Sequence, residues 1–215
     1  MNATDRGSDR ERDLARDVYF SDFYFSMPQL CSFAHQLNLI HAMRPTSAIE
    51  IGLGNGFVST YLRRAGVPVI TADINPALGP DICAPLAEVR AHLDQPQDLV
   101  ICCEVLEHMP LDALNVNLNH LRDLGERLFL TLPNSHRTWG FSGFAFLPKL
   151  GGRLLDLNFD IPWKRPIAGG PHFWVVGHSS DCSRAAIVRR LRRRYTTVHS
   201  GRFALNPYHI WFICA

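Results

Sequence analysis

The chain has 215 residues, 47% of them hydrophobic and 20% charged, with a formal net charge of +2. This is ordinary for one soluble globular domain with a sizeable core, and so small a charge singles out no partner. No apolar run is long enough to span a membrane, and no signal-peptide pattern opens the chain. The six cysteines show no C-x-x-C and no framework spacing, and most lie in apolar runs, so they are expected to be reduced residues of a cytoplasmic protein.

Met1–Asp17 is charged and poor in apolar residues. Residues 1–26 are therefore expected to form a partly disordered N-terminal segment, and 27–215 a single domain. Val18–Phe25 is rich in aromatics, which either pack the N-terminal helix onto the sheet or close over a ligand. Ser26 suits an N-cap and Pro28 a first turn, and Met27–Met43 carries Leu30, Phe33, Ala34, Leu37, Ile40 and His41 on one helical face. Ala48–Ile51 lacks polar alternation, as a strand buried on both faces does. It runs into Gly52, Leu53, Gly54, Asn55 and Gly56, where three glycines permit a sharp turn and close approach of a ligand. Phe57–Ala65 has helical spacing, Gly66 closes it, and Val67–Ala72 is a second strand ending at Asp73.

A glycine turn after a first strand, with an acid about 20 residues on, is the general nucleotide-binding arrangement. The third glycine is one residue early for a dinucleotide fingerprint, and Glu50 precedes the turn. The pattern Glu50-x-Gly52-x-Gly54-x-Gly56 resembles motif I of the class I S-adenosylmethionine (SAM)-dependent methyltransferases. The resemblance implies an α/β, Rossmann-like three-layer sandwich. Its mostly parallel seven-stranded sheet would end in a C-terminal antiparallel hairpin. It implies SAM as cofactor, with Glu50 and the turn Gly52, Gly54, Asn55 and Gly56 at the methionine portion. Asp73 would take both ribose hydroxyls, with Ile74 beside it, and Cys103 and Glu104 would line the same pocket. Many relatives place an acid just after the third strand, but here Ala84 and Pro85 follow Asp81–Cys83. Adenine is then left to backbone groups and apolar contacts from Ile82, Cys83 and Leu86.

Asp98–Cys103 reads as the fourth strand, Leu111–Leu124 as a helix capped by Gly125, and Arg127–Leu132 as the fifth strand. Ser135–Gly170 shows no clean periodicity and is expected to be an active-site insertion (135–170) that shapes an acceptor pocket. Pro171–His178 reads as a short strand or loop. Ser180 or Asp181 suits the cap of a helix through Tyr195. Its arginines make either a solvated face, the preferred reading, or an anion-binding one. Thr196–Phe203 and Tyr208–Cys214 are strand-like runs joined across Asn206 and Pro207.

Glu104-x-x-Glu107-His108 follows the fourth strand at once. Two carboxylates and an imidazole converging there make a mixed oxygen and nitrogen site for a divalent cation. With His172 downstream, the pattern resembles the metal site of small-RNA 3′-terminal 2′-O-methyltransferases, and a similar run occurs in ubiquinone-biosynthesis O-methyltransferases. The ligands implied are Glu104, Glu107, His108 and His172, for Mg, Mn, Fe or Zn. Without metal, His108 or His172 becomes the general base, with His136 a third candidate. His35, His41, His92, His120, His199 and His209 read as structural. The expected activity is methyl transfer to a small-molecule acceptor, at oxygen rather than nitrogen or carbon. The alternatives are 2′-O-methylation of an RNA terminus and SAM binding without transfer. No membrane partner is expected, nucleic acid is a possible partner but not the favoured one, and the oligomeric state stays open.

Overall fold

The computed structural model describes residues 7–149, 151–164 and 171–215. The first six residues of the expected N-terminal segment and residues 150 and 165–170 of the expected insertion lie outside them. Nine strands are described: β1 (Ala48–Ile51), β2 (Val69–Asp73), β3 (Ile82–Cys83), β4 (Gln97–Cys103), β5 (Gly125–Pro133), β6 (His136–Leu147), β7 (Gly151–Lys164), β8 (Val198–Phe203) and β9 (Asn206–Cys214). The helices are α1 (Ser8–Arg12), α2 (Met27–Met43), α3 (Phe57–Arg64), α4 (Leu86–Val89), α5 (Leu114–Leu124) and α6 (Arg184–Leu191), joined by short 3-10 turns.

Seven strands form one sheet in the order β3-β2-β1-β4-β5-β9-β8. The first five are parallel, and β9 inserts antiparallel between β5 and β8. The central strands are apolar on both faces because both are covered. Leu99, Ile101 and Phe129 face α2 and α3 through Ile40, Val58 and Leu62. Val100, Cys102, Leu128 and Leu130 face the other way, against Leu114, Leu118, Leu121, Ile187 and Leu191 of α5 and α6. This is the expected three-layer α/β sandwich. Successive strands leave β1 in opposite directions, so a crevice opens at the carboxyl ends of β1 and β4, where such sheets bind ligands.

Several local expectations give way. Gly125 does not cap α5; it opens β5 in extended conformation, where a Cβ would collide with the Gln97 carbonyl of β4. Ser26 makes no side-chain cap and instead donates to the Phe23 carbonyl. Ser183, not Ser180 or Asp181, caps α6 by accepting from the Ala186 N–H. The β8–β9 turn falls at Ala204–Leu205, with Leu205 at φ 66°. The larger departures are at the two segments with least periodicity. From Gly7 on, the N-terminal segment is a chain of short helical turns laid over the crevice. The insertion is a long two-stranded ribbon, β6 paired antiparallel with β7.

Candidate active site

The crevice holds a cavity of about 490 Å³ lined by β1, the glycine turn, the end of β2, the residues after β4 and the N-terminal segment. Gly52, Gly54 and Gly56 take positive φ of 83°, 53° and 68°, which favours glycine at each. At Gly52 a Cβ would also collide with Val105, so the turn is fitted to the chain that follows β4. Asp73 ties the turn to β2: its Oδ2 accepts from Leu53 N–H at 2.7 Å and its Oδ1 from Asn75 N–H at 2.8 Å. Burial raises the Asp73 carboxyl from its ordinary value against these backbone donors. Glu50 is wholly buried, and burial pushes its carboxyl up to about 7 despite the Ser59 hydrogen bonds. Its Oε2 has no hydrogen-bond partner among the described residues. Asn55, Ile74, Cys103 and Glu104 line the same cavity.

Three expected cofactor contacts fall elsewhere. Ile82 sits in the apolar core and Cys83 is exposed with its thiol toward the Ile74 carbonyl; of the residues expected at the adenine only Leu86 lines the cavity, with Ala84, Pro85 and Val89 beside it. Gly56 is not among the lining residues and serves as the N-cap of α3.

At the far end, Glu107, His108 and His172 each present one ligand atom, all within 4.8 Å of one another. Glu107 is fully buried, and neither of its oxygens has a hydrogen-bond partner among the described residues. Burial, and then the Glu104 carboxylate beside it, push the Glu107 carboxyl well above the ordinary range. Burial followed by the charge of His108 drives His172 down to about 4, so its imidazole is neutral at pH 7. An orphaned buried carboxylate beside two ring nitrogens fits a divalent cation, which would satisfy those oxygens. Glu104 stands outside this cluster of three. It sits at φ 56°, a left-handed conformation rare for a non-glycine residue, and its Oε2 lies 3.6 Å from His209 Nε2. That backbone reversal breaks the helical stacking expected of Glu104 with Glu107, and the following turn is a 3-10 helix over Leu106–His108.

No family model matches the chain, and no curated protein sequence does. Solved structures do match. Magnesium protoporphyrin IX methyltransferase from Synechocystis PCC 6803, with bound SAM, superposes with a TM-score of 0.54 at 16% identity, covering 100% of both chains. A SAM-dependent methyltransferase from Clostridium acetobutylicum ATCC 824 gives 0.53 at 8% identity, over 90% of this chain and 96% of that one. The 1,6-didemethyltoxoflavin-N1-methyltransferase of Burkholderia thailandensis gives 0.52 at 16% identity, over 84% of this chain and 76% of that one. The chain has the fold of SAM-dependent methyltransferases.

On that fold, three contributors to the cavity escaped the sequence. Glu11, from the expected disordered segment, places Oε1 3.1 Å from His108 Nδ1. Tyr19, Phe23 and Tyr24 line the cavity, Tyr24 packing against the core beneath α2 as well, so the aromatic stretch closes over the crevice. His209, read as structural, also lines the cavity, with Nδ1 3.0 Å from Ser32 Oγ of α2. Only the aromatic run carried a signal; a charged segment and an isolated histidine late in the chain gave none. His136 lies outside the lining residues, and its Cδ2 and Nε2 crowd Gly177.

Proposed function

We propose that the protein is a SAM-dependent methyltransferase acting on a hydroxyl of a small, partly aromatic molecule, aided by a divalent cation. The observation that carries this reading is one cavity joining the glycine turn, Glu50 and Asp73 at one end to His108 and His172 at the other. SAM supplies an activated methyl group, and a divalent cation supplies Lewis acidity that lowers a hydroxyl pKa. The residues of the chain do the rest. Asp73 keeps lone pairs free for the ribose hydroxyls while its other contacts hold the turn. Glu50, buried with an unpartnered oxygen, is placed for the ammonium of the methionine portion. Glu107, His108 and His172 would hold the cation: a carboxylate offsets its charge, and the neutral His172 ring keeps a lone pair available. Glu104, at the cavity wall beside His209, would help position the acceptor. Tyr19, Phe23, Tyr24 and the stacked Phe33–Phe57 pair, 5.0 Å apart, exclude water and suit an aromatic acceptor.

The geometry gives less support to an RNA terminus. Arg184 of α6 is tied to Ser200, and Arg194, just beyond the helix, to Asn119 and Asn115, inside the fold. The test is a screen with labelled SAM over catechols, phenols, amines and short RNAs, with and without chelator. Methylation of a catechol or phenol that stops in chelator and returns with a divalent cation is the expected result. Tighter binding of a nicotinamide dinucleotide than of SAM in calorimetry would overturn the methyltransferase reading. Full activity in chelator would remove the cation from it.

A further inference from the structure

The β6–β7 ribbon has two faces of different kinds. Antiparallel pairing sets Trp139 beside Phe159, Phe141 beside Leu157 and Gly143 beside Leu155 on one face. The other face takes Thr138 with Asp160, Gly140 with Asn158 and Ser142 with Asp156. The polar face is engaged within the chain. Asp160 pairs with Arg202 of β8, Asp156 accepts from Ser142 and Asn158, and Asp156 lies close enough to His35 to act on its charge. The apolar face is left to solvent, with Trp139, Phe141, Leu157 and Phe159 between 59% and 70% exposed. This inverts the usual arrangement, in which the apolar side of a ribbon meets the body.

Toward the tip the second face turns apolar as well: Phe144 is 61% exposed and Phe146 82%. With Trp163, the exposed rings and leucines present on the order of 1,000 Å² of apolar surface, beyond the roughly 300–600 Å² of an ordinary largest patch. A two-stranded ribbon is at best marginally stable alone in water. Charge is segregated along its length. Residues 143–155 hold Lys149 and Arg153 and no carboxylate, whereas Asp156 and Asp160 stand nearer the base. A flat protein partner covers one face; only a medium that surrounds the tip covers both. Basic side chains among apolar ones match an anionic headgroup layer.

We propose that the β6–β7 ribbon is a membrane-interface anchor whose tip, Phe144, Phe146 and Leu154 with Lys149 and Arg153, enters the headgroup layer of an anionic bilayer. Among the described residues neither edge of the ribbon pairs with another strand, so insertion stops at interface depth rather than crossing hydrocarbon. The ribbon departs from the carboxyl end of β5, the edge on which the cavity opens, so anchoring would hold the cavity near the lipid surface.

The full chain is sedimented with phosphatidylcholine/phosphatidylglycerol vesicles and with phosphatidylcholine alone. It is expected to partition onto the anionic vesicles and to be released by salt. Phe144→Ser and Phe146→Ser should each weaken partition about tenfold. Phe144→Leu, which keeps apolar area, should retain it, and Lys149→Glu with Arg153→Glu should abolish the preference for anionic lipid. Circular dichroism establishes that each variant is folded. Failure to bind either vesicle, or binding indifferent to the tip variants, overturns the proposal. So does a dimer in ultracentrifugation that Phe141→Ser and Leu157→Ser dissociate without any vesicle binding, which would make the face a self-interface.

Discussion

Glu11 Oε1 lies 3.1 Å from His108 Nδ1, joining the N-terminal segment to the far end of the cavity. The segment is held along its length: Tyr19 donates to Glu11 Oε2 at 3.3 Å, and Asn75 Nδ2 donates to the Leu14 carbonyl at 2.7 Å. It therefore lies as a strap over the cavity. Removing residues 1–25 should leave the sheet folded and accelerate release of SAM in a stopped-flow displacement measurement. Glu11→Ala alone should accelerate it roughly tenfold, as loss of a charge-assisted hydrogen bond implies. An unchanged release rate in both would show that the segment is mere covering.

Asp73→Ala should raise the dissociation constant for SAM by roughly ten- to a hundredfold, the range for losing hydrogen bonds to a charged group. Asp73→Asn should cost less, because an amide oxygen can still accept from Leu53 or Asn75. Calorimetry with SAM decides between them, and equal loss in both variants would locate the effect at the ribose rather than in the turn, because the asparagine still supports the turn.

Glu107→Gln removes a fully buried carboxyl whose oxygens have no hydrogen-bond partner among the described residues. Without metal, the variant should melt a few degrees higher than the parent, because an acid pair with Glu104 is relieved. The same change should abolish calorimetric binding of Mn²⁺ and the cation dependence of activity. A lower melting temperature together with unchanged Mn²⁺ binding would contradict both.

Glu50 gives a pH dependence of known sign. Burial raises its carboxyl from 4.5 to about 7 in the folded chain. The folded state thus keeps a proton that the unfolded chain has released. Stability is intact below about pH 4.5, falls as pH rises toward 7, and is then lower by about 3 kcal/mol. Glu50→Gln should flatten that fall, melting above the parent at about pH 8 and level with it at about pH 4.5. If Glu50 meets the ammonium of SAM, binding near neutral pH should release a proton, seen as a buffer-dependent enthalpy. Glu50→Gln should weaken SAM even as it stabilises the free protein.

At Gly52, φ is 83° and a Cβ would strike Val105. Gly52→Ala should cost about 1–3 kcal/mol, and Val105→Ala should restore part of it by making room. Urea unfolding of the single and double variants measures the coupling. No recovery in the double variant would assign the whole cost to the backbone.

The parallel sheet was legible because Ala48–Ile51, Val69–Asp73 and Gln97–Cys103 are apolar on both faces and alternate with amphipathic helices. Glycine spacing and Asp73 were legible for the same reason: backbone geometry at a strand end restricts which residues fit. The ribbon was not. Leu155–Lys164 of β7 does alternate apolar with polar residues, but in β6 the aromatics change face at Gly143, from Trp139 and Phe141 to Phe144 and Phe146, so no single period runs through both strands. Glu11 and His209 were invisible because what brings them to His108 and Glu104 is tertiary: one lies almost 100 residues before its neighbour in the chain, the other more than 100 after. Glu104 at φ 56° is the converse case. A residue type that rarely adopts that conformation holds it here, and local preference had pointed to an ordinary helical turn.

The place of β9 between β5 and β8 bears on how the molecule is made. While its residues are still inside the ribosome, the hydrogen-bonding edge at Leu128–Pro133 is bare and Val198–Phe203 has no neighbour to pair with. A nascent chain with two open edges is prone to pair with other chains. Folding should therefore depend on chaperone cover until β9 is in place, and removing Asn206–Cys214 should increase the aggregated fraction.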